Sequence, residues 1–290
     1  MIIVRKKEKL IKRMIRFQSF FAFLLITVVT LNVAAAETLY NTLNVVLSDK
    51  GTLDQGHIDN SKKVIEDVTN EGVVMTKNDN SFLPIAPQKI NVFGWSSTNP
   101  VYGGTGSGTV DATTAVGILK GLENAGFETN SELSDMYTEY RQDRPVISIN
   151  DGQDWTLPEV PVADYSDKII NDAKDFSDVA MIVLSRTGGE GTDLPIDMGP
   201  IMDGSTMDIG TKYTKGTYTN NSKDYDDFED GQSYLELSKT EQDLVDLVCS
   251  NFDDVIVVYN GANAMELGWT NDYEQIKSVL FMCRSRCNRF

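Results

Sequence analysis

Short apolar runs alternate with helically spaced ones along most of this chain. Ile90–Phe93, Val179–Leu184, Val255–Tyr259 and Ile276–Phe281 read as strands. Val179–Leu184 and Val255–Tyr259 are unbroken, the pattern of strands buried on both faces of a parallel sheet. Between them lie helical patterns. Asn60–Asn70 carries Val64, Ile65 and Val68, and Ala112–Ala125 carries Val116, Leu119 and Leu122 and stops at Gly126. Asp135–Asp143 and Ile169–Phe176 read as further helices. Ser238-Lys-Thr-Glu241 is a capping box that opens a helix through Leu244, Val245, Leu247, Val248 and Phe252. The alternation predicts an α/β fold, a mainly parallel sheet with helices on both faces. Val73–Met75 begins an extended segment. Two stretches show no periodicity. Arg144–Asp164 is expected to be irregular, with Pro145, Pro158 and Pro161. Thr192–Tyr234 is long, polar and acidic, so it is expected to be functional or loosely ordered, with Asp224–Asp230 a solvated face.

The first 36 residues follow a different pattern. Residues 1–16 hold seven of the 26 Lys/Arg and one of the 43 Asp/Glu. Residues 17–36 are mostly apolar and read as a membrane-targeting segment that precedes the fold. They are expected either to stay as a transmembrane anchor or to be removed after Ala34-Ala-Ala36, with the basic flank cytoplasmic in both cases. The folded part is therefore expected outside the cell, membrane-anchored or secreted. Residues 37–59 read as a linker, 60–281 as the folded domain and 282–290 as an aberrant tail.

Charge and rare residues narrow the chemistry. The formal net charge is −17, and the acidic body disfavours a nucleic-acid partner. The three cysteines, Cys249, Cys283 and Cys287, form no CxxC pair, which argues against a disulfide framework or a zinc site. Cys249 reads as a small buried hydrophobe on its helix. One histidine, His57, leaves no room for a Ser-His-Asp or Cys-His centre. No metal and no cofactor is expected.

The candidate chemistry sits just past the strand Val179–Leu184. Gly188-Gly189-Glu190-Gly191 places three glycines around one carboxylate, at the end of a strand where open α/β sheets bind ligands. Arg186 is expected to pair with a carboxylate and hold the loop. Asp193 is expected to act as a structural acceptor. A second glycine-rich loop, Gly103-Gly-Thr-Gly-Ser-Gly108, follows the strand Ile90–Phe93; it lacks the Lys-Ser/Thr of a phosphate loop. Trp95, Trp155 and Trp269 read as packing residues rather than stacking platforms for a ligand.

Taken together, Glu71-Gly-Val-Val-Met-Thr-Lys-Asn-Asp79 with Leu83-Pro84, the loop Gly103–Gly108, and Ser185-Arg-Thr-Gly-Gly-Glu-Gly-Thr-Asp193 resemble glycoside hydrolase family 3. They are similar to its α/β-sandwich domain, over about Asn60 to Phe281. The resemblance implies a retaining hydrolase of β-glucoside-like substrates, with Glu190 as general acid/base, Ser107 offered to the sugar, and Gly189, Gly191, Arg186 and Asp193 supporting the loop. It also implies a partner: in the family a (β/α)8 barrel supplies the Asp nucleophile. A barrel of about 250 residues is not among these 290. The layout is similar to permuted, membrane-attached members that carry the α/β domain first. Met282-Cys-Arg-Ser-Arg-Cys-Asn-Arg-Phe290 breaks with the acidic composition. One choice of synonymous codons, read a base later, gives Cys-Ala-Gly-Pro-Gly-Ala-Thr-Gly-Phe, which suits the family at this point. A frameshift that removed the barrel is therefore expected, and with it an acid/base domain inactive alone. The alternative expectation is a non-catalytic α/β domain that binds sugar or assembles with a separate barrel.

Overall fold

The computed structural model describes residues 55–104, 112–148, 152–204, 206–208 and 213–282. The chain divides into two compact units, residues 1–60 and 61–290. The basic flank, the apolar run 17–36, Ser107, Cys283 and Cys287 lie outside the described residues, as does the side chain of His57. No described helix is long and apolar enough to cross a membrane.

A six-stranded sheet organises the larger unit. Its strands are β1 (Val73–Asn78), β2 (Lys89–Phe93), β3 (Glu128–Thr129), β6 (Val179–Arg186), β9 (Asp254–Gly261) and β10 (Ile276–Met282), in the order β1-β10-β9-β6-β2-β3. β1 runs antiparallel to β10 and every other pair is parallel. β6 and β9 are central because their sequences offer no polar side to water: all eight residues of β6 are buried. A smaller four-stranded sheet joins β4 (Ile147–Ser148), β5 (Gly152–Asp154), β7 (Thr206–Asp208) and β8 (Tyr213–Thr217) in the order β4-β5-β8-β7.

Helices cover both faces of the large sheet. α3 (Ser131–Tyr140), α4 (Asp167–Phe176) and α6 (Lys239–Asn251) bury Leu133, Tyr137, Ala173, Leu244, Val245 and Val248 against Phe93, Ala180, Ile182, Leu184, Val255 and Val257. On the other face α2 (Ile118–Asn124) lays Ile118, Leu119 and Leu122 over Val92, Met181, Val183, Ile256 and Val258. α6 opens on the capping box: Ser238 Oγ accepts from the Glu241 amide, and Glu241 reaches back to the Ser238 amide.

Several expectations need correction. The helix read over 112–125 is a 3-10 turn at Ala112–Thr114 and a separate α2, so Val116 stands exposed in the connection. α1 (Gln55–Gly72) is longer than read, and its Val64 and Val68 are exposed. α3 starts four residues earlier than expected, where Asn130 caps it. The two stretches without periodicity carry short elements among their described residues. Arg144–Asp164 contains β4 and β5, and residues 155–161 are continuously buried. Thr192–Tyr234 contributes α5 (Gly199–Met202), β7 and β8. Trp155, Leu157, Met198, Ile201, Phe228 and Tyr234 form a third core cluster beside these strands. Asp227 inside Asp224–Asp230 is fully buried, not solvated, accepting from Thr240 Oγ1 at 2.6 Å and the Asn221 amide at 2.8 Å. Sequence periodicity missed this because the cluster is assembled from side chains far apart in the chain.

Candidate functional site

The carboxyl ends of β2, β6 and β9 form one edge, and a single loop is tied across it. β2 turns sharply at Gly94, which has φ +95° and whose Cβ, if present, would lie 2.4 Å from the Val183 carbonyl oxygen. Only glycine fits that corner. The loop from Trp95 onward is then fastened at three points. Trp95 donates its amide to Glu159 Oε2 at 2.9 Å and its indole N–H to the Arg141 carbonyl at 2.9 Å. Ser96 Oγ lies 2.7 Å from Ser185 Oγ at the end of β6. Asn260, at the end of β9, accepts from the Val101 amide at 2.5 Å and donates to the Val101 carbonyl at 3.3 Å. The glycine-rich run begins at Gly103, and its Ser107 lies outside the described residues.

Glu190 lies on the segment that leaves β6. β6 ends at Ser185-Arg186, and Thr187 and Gly188 are still buried. The chain then makes a tight turn in which the Thr192 amide donates to the Gly189 carbonyl at 3.2 Å. Gly191, third in the turn, has φ +67°, a conformation glycine supplies without strain. The turn leaves Glu190 exposed at its tip, with Asp193 also exposed just beyond.

Two arginines meet at the end of β6. Arg186 is fully buried and forms a bidentate pair with Glu241, both contacts at 2.7 Å. It also donates to the carbonyls of Tyr234 and Glu236, each at 2.6 Å. Burial is the largest single influence and pulls the guanidinium down, but the charge and hydrogen bonds of Glu241, with Tyr234 and Tyr259 nearby, together hold it above its ordinary value. The capping box thus does a second task, since the Glu241 that closes α6 also neutralises the end of β6. Arg144 was not singled out in the sequence. It stacks over the Trp95 ring, 4.9 Å from its centroid, and donates to Ser185 Oγ at 2.9 Å, to Thr187 Oγ1 at 3.3 Å and to the Asn99 carbonyl. Burial lowers its pKa to about 10, which still leaves it charged at neutral pH.

Glu159 is the other residue the sequence left unmarked. It is 3% exposed, and burial pushes its carboxyl up to about 8 despite two amides donated to it, from Trp95 and Val160. A signal existed: a lone Glu within the apolar stretch Trp155–Val160. Trp95 and Trp155 are fully buried, so neither faces a ligand. An apolar groove of about 500 Å³ lies under α2, lined by Met75, Ile85, Leu122, Phe127 and Met181 among others, and Glu190 is not part of it. Among the described residues no group of three His, Cys, Asp or Glu is placed to hold a metal.

A mainly parallel α/β domain with a glycine-flanked carboxylate displayed at the carboxyl edge of its sheet is the class these features define. Residues 73–284 match the glycosyl hydrolase family 3 C-terminal domain, and the chain belongs to that family. It is 30% identical over 249 residues to beta-glucosidase A of Butyrivibrio fibrisolvens, covering 82% of this chain and 27% of that one. A beta-glucosidase of Ruminococcus albus is 25% identical over 211 residues, covering 71% of this chain and 18% of that one. Among solved structures, beta-glucosidase 3B of Thermotoga neapolitana in complex with glucose superposes with a TM-score of 0.55 at 26% identity, covering 79% of this chain and 27% of that one. The beta-glucosidase of Paenibacillus barengoltzii gives the same TM-score at 27% identity, covering 78% of this chain and 22% of that one. The chain therefore spans about a quarter or less of each of these relatives.

Proposed function

We propose that this chain supplies the acid/base carboxyl of a retaining β-glycosidase acting on β-glucoside-like substrates, and that Glu190 is that carboxyl. The observation that carries the reading is the exposed position of Glu190 on a glycine turn at the end of the central parallel strand, in a family 3 C-terminal domain. The relatives named as beta-glucosidases support the substrate class.

The chemistry requires a second carboxyl. In retaining hydrolysis two carboxyls about 5–5.5 Å apart divide the work. One attacks the anomeric carbon while the other protonates the departing oxygen. The latter then takes a proton from the water that releases the sugar. In this reading the nucleophile is an Asp of a (β/α)8 barrel outside this chain, and the chain alone is inactive. Ser107 meets the sugar, while Gly189, Gly191, Arg186 and Asp193 set the loop. Residues 17–36 export the domain and hold it at the membrane, or are cleaved after Ala36.

The test is an aryl β-glucoside assay on the purified chain, alone and with a cognate family 3 barrel. Hydrolysis is expected only in the mixture, and Glu190→Gln is expected to lower it by at least about a hundredfold. Turnover by the chain alone that Glu190→Gln abolishes defeats the claim of inactivity. A mixture as active with Glu190→Gln as without it defeats the acid/base role and leaves a domain that binds sugar or assembles with a barrel.

A further inference from the structure

We infer that Arg144 is a positioning residue that locks the Glu190 loop to residues 95–99, the start of the loop after β2, so that the two move as one piece. The argument starts from where its donors go. One guanidinium reaches two separate segments: the loop after β2, at Asn99 and more loosely at Ser96, 3.5 Å away; and the stretch that leaves β6, at Ser185 and at Thr187, the root of the Glu190 turn. Trp95, also in the loop after β2, fixes the plane of the guanidinium by stacking on it. Ser185 is shared, since its hydroxyl also meets Ser96.

The choice of acceptors sets this arginine apart from its neighbour. Arg186 is neutralised by Glu241, a buried ion pair that satisfies its charge within the protein. Arg144 forms no ion pair among the described residues, and its partners are three hydroxyls and a carbonyl. Its Nε is buried with no acceptor. A half-buried cation held this way gives up part of its solvation without a compensating anion. A planar fork of five donors gives in return a rigid link between segments that no backbone ladder joins. The glycines on both sides, Gly103-Gly104 and Gly188-Gly189, leave the loops without stiffness of their own, so the link must come from a side chain.

The inference rests on the reading of Glu190 as acid/base only for its catalytic consequence. The mechanical part is tested without catalysis, by hydrogen exchange in the full chain. Amides of residues 95–104 and 187–193 are followed in the wild type, Arg144→Met, Arg144→Lys and Thr187→Val, with β9 as reference. Arg144→Met is expected to speed exchange by about tenfold in both segments together while β9 is unchanged. Arg144→Lys, which keeps the charge and three donors, is expected to restore part of the protection. Thr187→Val keeps the shape, removes one acceptor and is expected to loosen 187–193 alone. Loosening of only one segment in Arg144→Met, or no change at 187–193 in Thr187→Val, overturns the inference. If Arg144→Met does not fold, Thr187→Val decides. The catalytic part is read with the barrel present. Arg144→Met is expected to slow an alkyl β-glucoside, whose leaving oxygen needs a proton, about tenfold more than a dinitrophenyl one, which does not. Equal loss on both substrates overturns the catalytic part. If Glu190→Gln is silent in the same assay while both loops loosen together, the link stands and the reading of Glu190 falls.

Discussion

Glu159 lies under the corner where β2 becomes the loop, and its ionisation is tied to folding. Burial dominates and raises it from 4.5 to about 8, so at neutral pH the folded chain keeps a proton that the unfolded chain has released. The sign follows from proton counting. Glu159 contributes stability that is complete below about pH 4.5 and is lost as pH rises toward about 8. Urea unfolding at pH 5 and pH 8 is expected to show a less stable wild type at the higher pH. In Glu159→Gln, which cannot ionise, most of that difference is expected to vanish. An equal difference in both proteins would mean that other groups carry the dependence. No hydrophobic period marks such a residue; its partner Trp95 arrives from 64 positions earlier in the chain.

At the scale of elements, β2 and β6 are packed so closely at their carboxyl ends that one methyl group decides the geometry. Gly94→Ala would press a Cβ against the Val183 carbonyl and force a positive φ on alanine. The expected destabilisation is about 2–4 kcal/mol, measured by denaturant unfolding. Hydrogen exchange should rise first in residues 94–101, the segment that Ser96 and Asn260 fasten. The central elements were legible in sequence because each carries its own local signal: the unbroken apolar runs of β6 and β9, and the Ser238–Glu241 box of α6. The glycine turn was legible for the same reason, since Gly189 and Gly191 bracket Glu190. What escaped was assembled at a distance. β4, β5, β7 and β8 are two to five residues long, too short to display a period. Arg144 takes its meaning from acceptors 41 to 48 positions away. Val64 and Val68 erred the other way, with a helical stripe that lies open instead of joining a core.

Over the whole molecule, the sheet is closed by its most distant pair. Val73 stands opposite Met282 and Asn78 opposite Ser278, a separation of about 200 residues. A chain ending at Tyr273 lacks β10, and β1 then has no neighbour to hold it. Trypsin is expected to cut after Lys77 at least about tenfold faster in that shortened chain, while the α6–β9 region keeps its resistance. A cleavage rate equal to that of the full chain would show that β1 is held by something other than β10. During translation the first strand of this domain therefore waits while some two hundred residues leave the ribosome, and no early intermediate can shelter its hydrogen-bonding edge. Any lesion in the message that garbles the codons of β10 therefore also unclasps β1, some two hundred codons upstream.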